Sequence, residues 1–576
     1  MMEKADPAQK LCNRMRLWEF PDQYLLEPTD GSSAPFLSIS RLDGSINFAD
    51  DVKKLMELHV PKVWTIFGVV GTLKLLAGSY LLVITERECV GYYLGYPVFK
   101  IISMKIFPCD HSLKSAPEEQ KKMEKKLPQL LSIAEKTPGV QRMHDLADES
   151  KLLPLWRQCG PSFYLEQLYA GSANGQEGKL LWQKRPVDGS FADKCLHLVF
   201  IDSILDHMGT RMWRRGADSD GFVANFVETE QIIQLNGYTA SFIQIRGSIP
   251  LLWDQIVDLT YKPKFEILEL EEVPLVVERH LLDLRKKYGN ILFVNLVNKH
   301  GDEGRLCEKF GSAVQHVASD DVRYLHFDFH RICGDNQIEW LSILYHRIET
   351  FLLQKRYFLL NDKEKKVERQ AGVVRTNCVD CLDRTNVTQS LIARKMLESL
   401  LRRLGVFNAD ETISRHPNLE ERFKNLWANH GDDISIQYTS TPALKGDFVR
   451  RGQRTVQGIL KDSFTSLLRY YLNNFCDGTR QDAIDLLQGH YIVSHSQSMA
   501  PTRKDGIEPI MSFQLAFLLI ITGFMCATIS LTRVQNDRWN LLFSIMWMSM
   551  SLGVLSLVRA NGRAFCNRPR LQQPRQ

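Results

Sequence analysis

Two segments near the C-terminal end of the chain contain no charged residue, and they constrain its folding more than any other feature. Ile510 to Leu531 and Trp539 to Val558 each have about the twenty apolar residues that a helix needs to cross a bilayer. Neither segment has the polar face of a helix that packs in a soluble domain. Only the short connection T-R-V-Q-N-D-R separates them. We therefore predict a transmembrane hairpin whose two ends lie on the same side of the membrane.

Positive charge sets the orientation of this hairpin. The segment after the second span is rich in arginine: Arg559, Arg563, Arg568, Arg570 and Arg575. The positive-inside rule places such a segment in the cytosol, and Arg533 and Arg538 in the connection oppose it more weakly. The N-terminus lacks the apolar core of a signal peptide, and the 12 cysteines have no regular spacing. Both features favour a reducing, cytosolic setting for the large N-terminal part.

A third apolar stretch, Val63 to Thr85, is predicted to form a pair of buried strands instead of a span. Lys74 lies at its centre, and Gly68, Gly71 and Gly78 divide it into short β-branched runs. With 576 residues, the chain is too long for one hydrophobic core. Its formal net charge of +5 is small for this length and implies no nucleic-acid partner.

The pattern of apolar runs divides the chain into five parts. Short strand-like runs dominate the first part, and strands alternate with helices from 211 onward, as in an α/β domain with a mixed or parallel sheet. The strands are expected at 242–245, 291–297 and 324–329, and long helices near 274–288 and 337–354. The predicted parts are a β-rich N-terminal domain (1–175), an α/β catalytic domain (176–460), a helical membrane-proximal segment and linker (461–508), the hairpin (509–560) and a basic cytosolic tail (561–576).

The stretch R-T-N-C-V-D-C-L-D-R-T-N, from Arg375 to Asn386, contains the residues most typical of a reactive site. Cys378 and Cys381 alone would fit a redox pair or half of a zinc site, whereas Cys378 with Arg384 fits a phosphatase loop. A Cys-x5-Arg match alone is weak, so its context decides. The run from Gly372 to Thr376 is strand-like, and a helical pattern of about twenty residues follows Arg384 and ends near Gly405. We therefore favour the phosphatase interpretation over the redox and zinc interpretations.

A loop between a strand and a helix N-terminus is suited to binding phosphate. Its backbone N–H groups and the helix dipole favour an anion and lower the pKa of a cysteine thiol. We predict Cys378 as the nucleophile and Arg384 as the residue that grips two phosphate oxygens. Thr385 is expected to steady the thiolate. The loop residues predicted to line the phosphate are Val379, Cys381, Leu382 and Asp383.

Two carboxylates in this loop would repel a phosphate dianion unless they are neutral or turned away. Asp380 is predicted as the proton donor to the leaving alcohol, protonated near the working pH. Asp383 is expected to face outward and brace the loop. Bracing alone is the alternative for both residues.

The same stretch resembles the catalytic signature of the Sac-domain phosphoinositide phosphatases almost letter for letter. Further segments resemble motifs of that family: 214–231, 246–250, 261–263, 327–330 and 443–455. The two-span C-terminus and R-A-N-G-R-A-F-C-N-R-P-R-L (559–571) resemble plant members of its membrane-anchored branch. Between about 139 and 210 the chain departs from the family pattern and reads as shortened and rewritten.

The resemblance implies an N-terminal Sac domain and a catalytic domain of the cysteine-phosphatase type. It implies hydrolysis of monophosphorylated phosphatidylinositols through a phosphocysteine intermediate, with neither metal nor cofactor. Phosphatidylinositol 4-phosphate is the first expected substrate and the 3-phosphate the second. The expected location is the endoplasmic reticulum membrane, with the Golgi or a post-Golgi membrane as the alternative.

A basic cluster after the catalytic loop is predicted to bind an anionic leaflet or lipid headgroup. It comprises Lys445, Arg450, Arg451, Arg454, Lys461 and Arg469. A solvated basic helix is the alternative. Two other functions remain open: a non-catalytic phosphoinositide-binding membrane protein and a protein tyrosine phosphatase.

Overall fold

The computed structural model describes most of the region from 209 onward and parts of the region before it. The described residues are 14–29, 36–41, 45–49, 60–75, 78–93, 96–108, 169–171, 196–204, 209–235, 237–268, 273–317, 319–329, 331, 337–363, 365–451, 454–487, 509–532 and 538–571.

The described N-terminal residues form two antiparallel sheets. The five-stranded sheet has the order β4-β3-β2-β1-β5, and the three-stranded sheet has the order β6-β7-β8. These strands are β1 (Met15–Glu19), β2 (Gln23–Pro28), β3 (Phe36–Ser40), β4 (Ile46–Ala49), β5 (Lys62–Ile66), β6 (Gly68–Leu75), β7 (Gly78–Tyr93) and β8 (Tyr96–Pro108). The apolar stretch from 63 to 85 therefore forms strands, as its glycines predict. Leu17, Ile66 and Val83 are fully buried in the core that these sheets share.

The larger sheet is mixed and has nine strands, of which seven follow the order β16-β15-β19-β12-β11-β10-β9, while β17 pairs with β12 and β18. Its strands are β9 (Tyr169–Gly171), β10 (Leu196–Ile204), β11 (Val227–Leu235), β12 (Tyr238–Gly247), β15 (Asn290–Asn295), β16 (Val322–His326), β17 (Phe358–Leu360), β18 (Lys366–Glu368) and β19 (Gly372–Asn377). A separate hairpin pairs β13 (Trp253–Gln255) with β14 (Phe265–Ile267). The pairings β12–β19, β19–β15 and β15–β16 are parallel. Every residue of β19 is buried, which is typical of a parallel strand covered on both faces.

Helices cover both faces of this sheet, and two hydrophobic cores lie on its opposite sides. The described helices are α1 (Val273–Tyr288), α2 (Gly301–His316), α3 (Gln337–Lys355), α4 (Asp383–Arg403), α5 (Pro417–Thr439), α6 (Gly446–Arg451), α7 (Val456–Phe475), α8 (Asp477–Leu487), α9 (Pro509–Thr532), α10 (Arg538–Ala560) and α11 (Gly562–Phe565). The strands and helices that the sequence predicts from 242 to 354 are all present. The α/β prediction for this part of the chain is confirmed.

Helices α9 and α10 are the two apolar segments of the sequence. Each is long and apolar enough to cross a membrane, and they pack against each other. The Ser544 hydroxyl donates to the Ala527 carbonyl at 2.9 Å, and the Ser551 hydroxyl donates to the Ile520 carbonyl at 3.3 Å. Such interhelical bonds from small residues are common between helices that pack in lipid.

Candidate active site

The stretch from Cys378 to Leu382 forms a loop between β19 and the N-terminus of α4. This confirms the predicted strand–loop–helix arrangement, including the end of the helix near Gly405, which has a φ of 68°. The loop lies at the carboxyl ends of three parallel strands, β12, β15 and β19. In open α/β sheets this edge is where ligands bind.

The Cys378 thiol lies at the bottom of the loop and is 0% exposed. Burial raises its pKa, and Arg384 only partly offsets this effect, while Asp380 and Cys381 raise the pKa further. The expected lowering of this pKa is therefore wrong for the loop as it stands. The reason is that desolvation of the thiolate outweighs the nearby guanidinium.

Cys381 has a different position from Cys378, and the two thiols are not joined by a disulfide. Its backbone has a φ of 54°, in the left-handed region, which turns its side chain back into the loop. The Cys381 thiol donates to the Gly247 carbonyl at 2.9 Å and lies 3.3 Å from the Cys378 amide nitrogen. A side chain at Gly247 would come within 2.9 Å of Val223 Cγ2, so the loop requires a glycine at this point. Cys381 thus fastens the loop to the end of β12.

Arg384 is held by a carboxylate that the sequence does not mark. Its Nη1 and Nη2 atoms donate to the two carboxylate oxygens of Glu303, both at 3.0 Å, and Nη1 also donates to the Leu296 carbonyl at 3.2 Å. Glu303 lies in the first turn of α2 and also accepts a bond from the Asn298 amide at 2.7 Å. These bonds occupy one edge of the guanidinium. The other edge, Nε–H with the second Nη2–H, has the two-pronged geometry that suits phosphate.

Asp380 forms an ion pair outside the loop. Its Oδ2 atom accepts a bond from Arg211 Nη2 at 3.0 Å, and its backbone carbonyl accepts one from Asn225 Nδ2 at 2.8 Å. Burial raises the pKa of Asp380, but Arg211, Arg215 and Arg384 lower it more, to about 2. The structure therefore contradicts the prediction of Asp380 as a carboxyl group protonated near the working pH. It braces the loop as a carboxylate.

The pKa of Asp383 is raised, as the prediction requires of Asp380. Burial raises its pKa to about 6, against an opposing effect of Arg469. Its Oδ1 atom accepts a bond from the Leu444 amide at 3.0 Å, and the residue lines a cleft beside the loop. Asp383 thus faces the cleft and also braces the segment at Leu444, and its role stays a prediction. Of the two loop carboxyl groups, it is the one whose pKa is raised.

The other predicted loop residues contact the surrounding protein, and their binding to phosphate stays a prediction. The Val379 carbonyl accepts a bond from Arg215 Nη1 at 2.8 Å, and Leu382 packs against Val227 and Tyr438. Thr385 is fully buried, and its Oγ1 atom has no hydrogen-bond partner among the described residues.

The cleft beside the loop is lined by Asp383, Arg384, Lys445 and apolar residues such as Phe329 and Val387. It reaches Arg384 but not Cys378. A phosphate in this cleft would therefore meet the guanidinium of Arg384.

Only part of the predicted basic cluster faces this cleft. Lys445 lines it, whereas Arg450 pairs with Asp432 at 3.0 Å and Arg454 bridges Asp447 and Asp462 at 2.8 and 2.7 Å. Arg451 and Lys461 are exposed. Arg469 is buried and donates to Thr441, Ser435 and Pro442, so its assignment to a lipid-facing cluster is wrong.

Comparison with known proteins identifies the family. The model of the SacI homology domain matches residues 67–146 and 196–334. The chain is 56% identical to "Phosphoinositide phosphatase SAC7" of Arabidopsis thaliana over 100% of both sequences. It is 58% identical to "Phosphoinositide phosphatase SAC6" of the same plant, over 98% of this chain and 99% of the relative. It is 33% identical to "Phosphatidylinositol-3-phosphatase SAC1-A" of Danio rerio, over 97% of this chain and 98% of the relative. The chain belongs to the Sac-domain phosphoinositide phosphatases.

The Sac family model leaves 147–195 unmatched, and this gap lies inside the stretch that departs from the family pattern. Most of that stretch falls outside the described residues. The predicted boundary at 175 between the Sac domain and the catalytic domain stays a prediction.

Three supporting residues of this Sac phosphatase escape sequence reasoning: Glu303, Arg211 and Arg215. Glu303 follows a strand that the sequence does predict, β15. Since β15 and β19 are parallel neighbours, their carboxyl ends meet, and a carboxylate shortly after β15 is a candidate partner for Arg384. Arg215 lies in the motif-like segment 214–231, which marks it without showing its contact, whereas Arg211 has no such signal and reaches the loop from the segment between β10 and β11.

The described residues contain no group of three or more His, Cys, Asp or Glu side chains placed to hold a metal ion. The metal-free mechanism that the family resemblance implies stays a prediction.

Proposed function

We propose that this chain is a membrane-anchored phosphatase that hydrolyses monophosphorylated phosphatidylinositols through a phosphocysteine on Cys378. One observation carries the proposal. A cysteine at the bottom of a strand–loop–helix cradle lies six positions before an arginine whose free edge is oriented by Glu303. Family membership supports the lipid substrate, and the loop geometry supports the cysteine chemistry.

In the first step the Cys378 thiolate attacks phosphorus. An S–P bond forms, and the bond between phosphorus and the inositol oxygen breaks. Asp383 in its protonated form donates its proton to that oxygen, and Arg384 binds two of the phosphoryl oxygens. Burial raises the pKa of the Cys378 thiol, so this step requires the thiol to lose its proton before it attacks.

In the second step a water molecule attacks the phosphocysteine. Asp383, now a carboxylate, accepts the water proton, the P–O bond forms and the S–P bond breaks. Inorganic phosphate leaves, and the thiolate of Cys378 is regenerated. The buried Thr385 hydroxyl, which has no hydrogen-bond partner among the described residues, is proposed to donate to the leaving sulfur.

The membrane part of the proposal rests on α9 and α10 as a transmembrane hairpin with both flanks in the cytosol. Asn386 supports this orientation, because Asn386-Val-Thr388 is a glycosylation sequon inside the catalytic fold. Its side chain is 4% exposed, and its Nδ2 atom donates to the Trp427 carbonyl at 3.0 Å. A glycan on Nδ2 would break this bond, so the buried position of Asn386 supports a cytosolic catalytic domain. We propose the endoplasmic reticulum as the location, with the Golgi as the second candidate.

The deciding experiment is a phosphate-release assay with the purified full chain against each phosphoinositide isomer in short-chain form. We expect release from phosphatidylinositol 4-phosphate first. The name of the zebrafish relative, a phosphatidylinositol-3-phosphatase, supports the 3-phosphate as the second expected substrate. A phosphotyrosine peptide in the same assay tests the tyrosine phosphatase alternative. If no phosphoinositide is hydrolysed while lipid binding persists, the non-catalytic alternative is correct.

The two cysteines give the matched test of mechanism. We expect Cys378→Ser to abolish turnover, because a serine hydroxyl stays protonated where a thiol ionises. Cys381→Ser should keep substantial activity, since its hydroxyl can still donate to the Gly247 carbonyl. Arg384→Lys should fail, because a single ammonium cannot replace the two-pronged edge. Equal loss in both cysteine variants, restored by zinc or a reducing agent, would favour the metal or redox interpretation.

A further inference from the structure

Helix α7 carries an apolar stripe that faces away from the protein. The residues of the stripe recur at helical spacing: Val456, Ile459, Leu460, Phe464, Leu467, Leu468 and Tyr471. Phe464 is 68% exposed and Leu467 is 69% exposed. Single exposed apolar residues are common, but a continuous stripe along five turns of helix marks a contact surface.

The opposite face of α7 is polar and buried. Thr465, Arg469 and Asn473 point into the protein. Arg469 donates to Thr441 Oγ1 at 2.8 Å, to Ser435 Oγ at 3.0 Å and to the Pro442 carbonyl at 2.7 Å. Rotating the stripe inward would break all three bonds and bury apolar side chains against polar ones. The outward stripe is therefore fixed by the fold, and this arrangement is the reverse of a helix that packs against a core.

The end of the apolar hairpin lies directly beside α7. Helix α10 ends at Ala560, and the residues after it bind the catalytic body. The Asn567 amide donates to the carbonyl of Asn474, in the last turn of α7, at 2.7 Å. A Cβ atom at Gly562 would come within 2.0 Å of the Asp258 carbonyl oxygen, so the chain there has no space to move away. A bilayer that holds α9 and α10 would thus lie near the C-terminal end of α7.

The charged and aromatic side chains around the stripe also fit a membrane surface as its neighbour. Arg451 and Lys461 are exposed near the N-terminal half of the stripe, where they can meet anionic headgroups. Phe464 and Tyr471 are aromatic residues of the kind that favour the interface between lipid and water. An apolar face with basic residues beside it is typical of a helix that lies in the plane of a membrane.

We propose that α7 lies along the surface of the anionic leaflet with its stripe among the lipid headgroups and upper acyl chains. This inference rests on the proposed membrane anchoring. It gives the catalytic body a membrane contact besides the hairpin. The cleft is coupled to this contact, because Lys445, which lines it, donates through its backbone amide to Asp462 of α7 at 3.0 Å. The stripe would thereby set the height and tilt of the cleft above the lipid.

Photo-crosslinking of the full chain tests which molecule covers the stripe. Benzoylphenylalanine replaces Leu467, and the protein is reconstituted into phosphatidylcholine vesicles that contain phosphatidylserine and a fluorescent phospholipid. Leu282 on α1 is the matched control, a helix-surface leucine that is 55% exposed. Leu518 on α9, which is 61% exposed, is the control for a residue inside the bilayer.

We expect fluorescent lipid adducts from positions 467 and 518 and none from 282. A dimer band, an adduct within the chain or no lipid adduct at 467 would overturn the proposal. Absence of an adduct at 518 would overturn the membrane anchoring itself, and the surface contact with it.

Activity measurements separate this inference from the proposed reaction. We expect Leu467→Asp to reduce hydrolysis of a phosphoinositide in the same vesicles roughly tenfold, through loss of orientation at the surface. The same variant should hydrolyse soluble short-chain substrate normally, and Leu282→Asp should behave as the parent in both assays. Equal loss on both substrates would contradict the membrane role. A parent chain inactive on every phosphoinositide would refute the proposed reaction but leave the crosslinking result valid.

Discussion

Asp380 and Asp383 have pKa values shifted in opposite directions although only two residues lie between them. Asp380 points toward Arg211 and is ionised, with a pKa of about 2. Asp383 points toward the cleft, where burial raises its pKa to about 6. Environment, not residue type, therefore divides the roles of brace and proton donor.

The raised pKa of Asp383 sets the direction of the pH dependence. The general acid is active when protonated, so kcat should fall as the pH rises through about 6. Asp383→Asn should lower kcat roughly 10²-fold and remove this limb of the pH profile. Initial rates on short-chain lipid between acid and neutral pH measure both effects. The control is Asp380→Asn, which should weaken the loop but keep this limb of the pH profile. If the limb disappears in the Asp380→Asn enzyme, the general acid is Asp380.

Glu303 is predicted to position Arg384. Glu303→Gln removes one charged acceptor and lets the guanidinium rotate, and a small misplacement of such a group can lower kcat by about 10²-fold. Asp302→Asn is the matched control, since the neighbouring Asp302 pairs only with Arg305 at 2.6 Å on the exposed side of the helix. Measurement of kcat and KM for both variants tests whether Glu303 positions Arg384. A Glu303→Gln enzyme with unchanged kcat would show that the ion pair has no positioning role.

At the residue scale, the sequence predicts what is local in the chain. Cys378 and Arg384 lie within one loop, so their pairing can be inferred from spacing and from the flanking strand and helix. The general acid cannot be assigned from spacing, because the pKa of Asp380 depends on Arg211, which is 169 positions away. The neutral state of Cys378 likewise follows from burial beneath the whole sheet edge.

At the scale of elements, α9 and α10 pack through small residues. Gly523 has no room for a side chain, since a Cβ atom there would lie 2.0 Å from Ser551 Oγ and 3.4 Å from the Trp547 carbonyl oxygen. Gly553, on α10, has nothing within 4 Å of the same position. The two glycines are therefore a matched pair, one inside the helix contact and one outside it.

Gly523→Val should destabilise the hairpin by about 1–3 kcal/mol, because the added side chain forces the helices apart. Gly553→Val should have little effect. Thermal unfolding of each full-length variant in detergent, followed by the loss of its folded fraction, measures the difference. Equal melting temperatures for the two variants would mean that α9 and α10 do not pack as described.

Most elements follow from patterns of apolar residues, and α7 shows where such patterns fail. The helix itself is expected from its periodicity. Its orientation is not expected from the sequence, because an amphipathic helix usually packs its apolar face inward. Here Arg469 and its three acceptors hold the polar face inward instead. The sequence contains those acceptors, but only the fold brings Ser435, Thr441 and Pro442 to one place.

For the whole molecule, the segment after the hairpin is part of the catalytic body. The Asp482 carboxylate on α8 accepts bonds from the amides of Arg570 and Leu571 at 2.8 and 2.9 Å. The Asn567 side chain accepts a bond from the Thr479 amide at 2.7 Å. The same helix pairs Asp485 with Arg214, in the segment whose Arg211 and Arg215 hold the catalytic loop. The described residues 561–571 therefore pack against the catalytic body and do not form the predicted basic tail that extends into the cytosol.

A fragment that stops at 508 should therefore be less stable than the full chain. It leaves the Asp482 carboxyl without its two amide donors, and each lost kcal/mol lowers Tm by roughly 2–4 °C. Joining 561–571 to residue 508 through a flexible linker should restore Tm and activity on short-chain lipid. If the 508 fragment already matches the linked form in Tm, the C-terminal contacts contribute nothing to stability.

The contacts of Asn567, Arg570 and Leu571 also have a consequence for biosynthesis. A ribosome releases these residues only after it has made both apolar helices, so the catalytic body remains incomplete throughout its own translation. If the hairpin inserts as proposed, it can do so before this last packing step. Contact of these residues with α8 is therefore the final step in the assembly of the catalytic body.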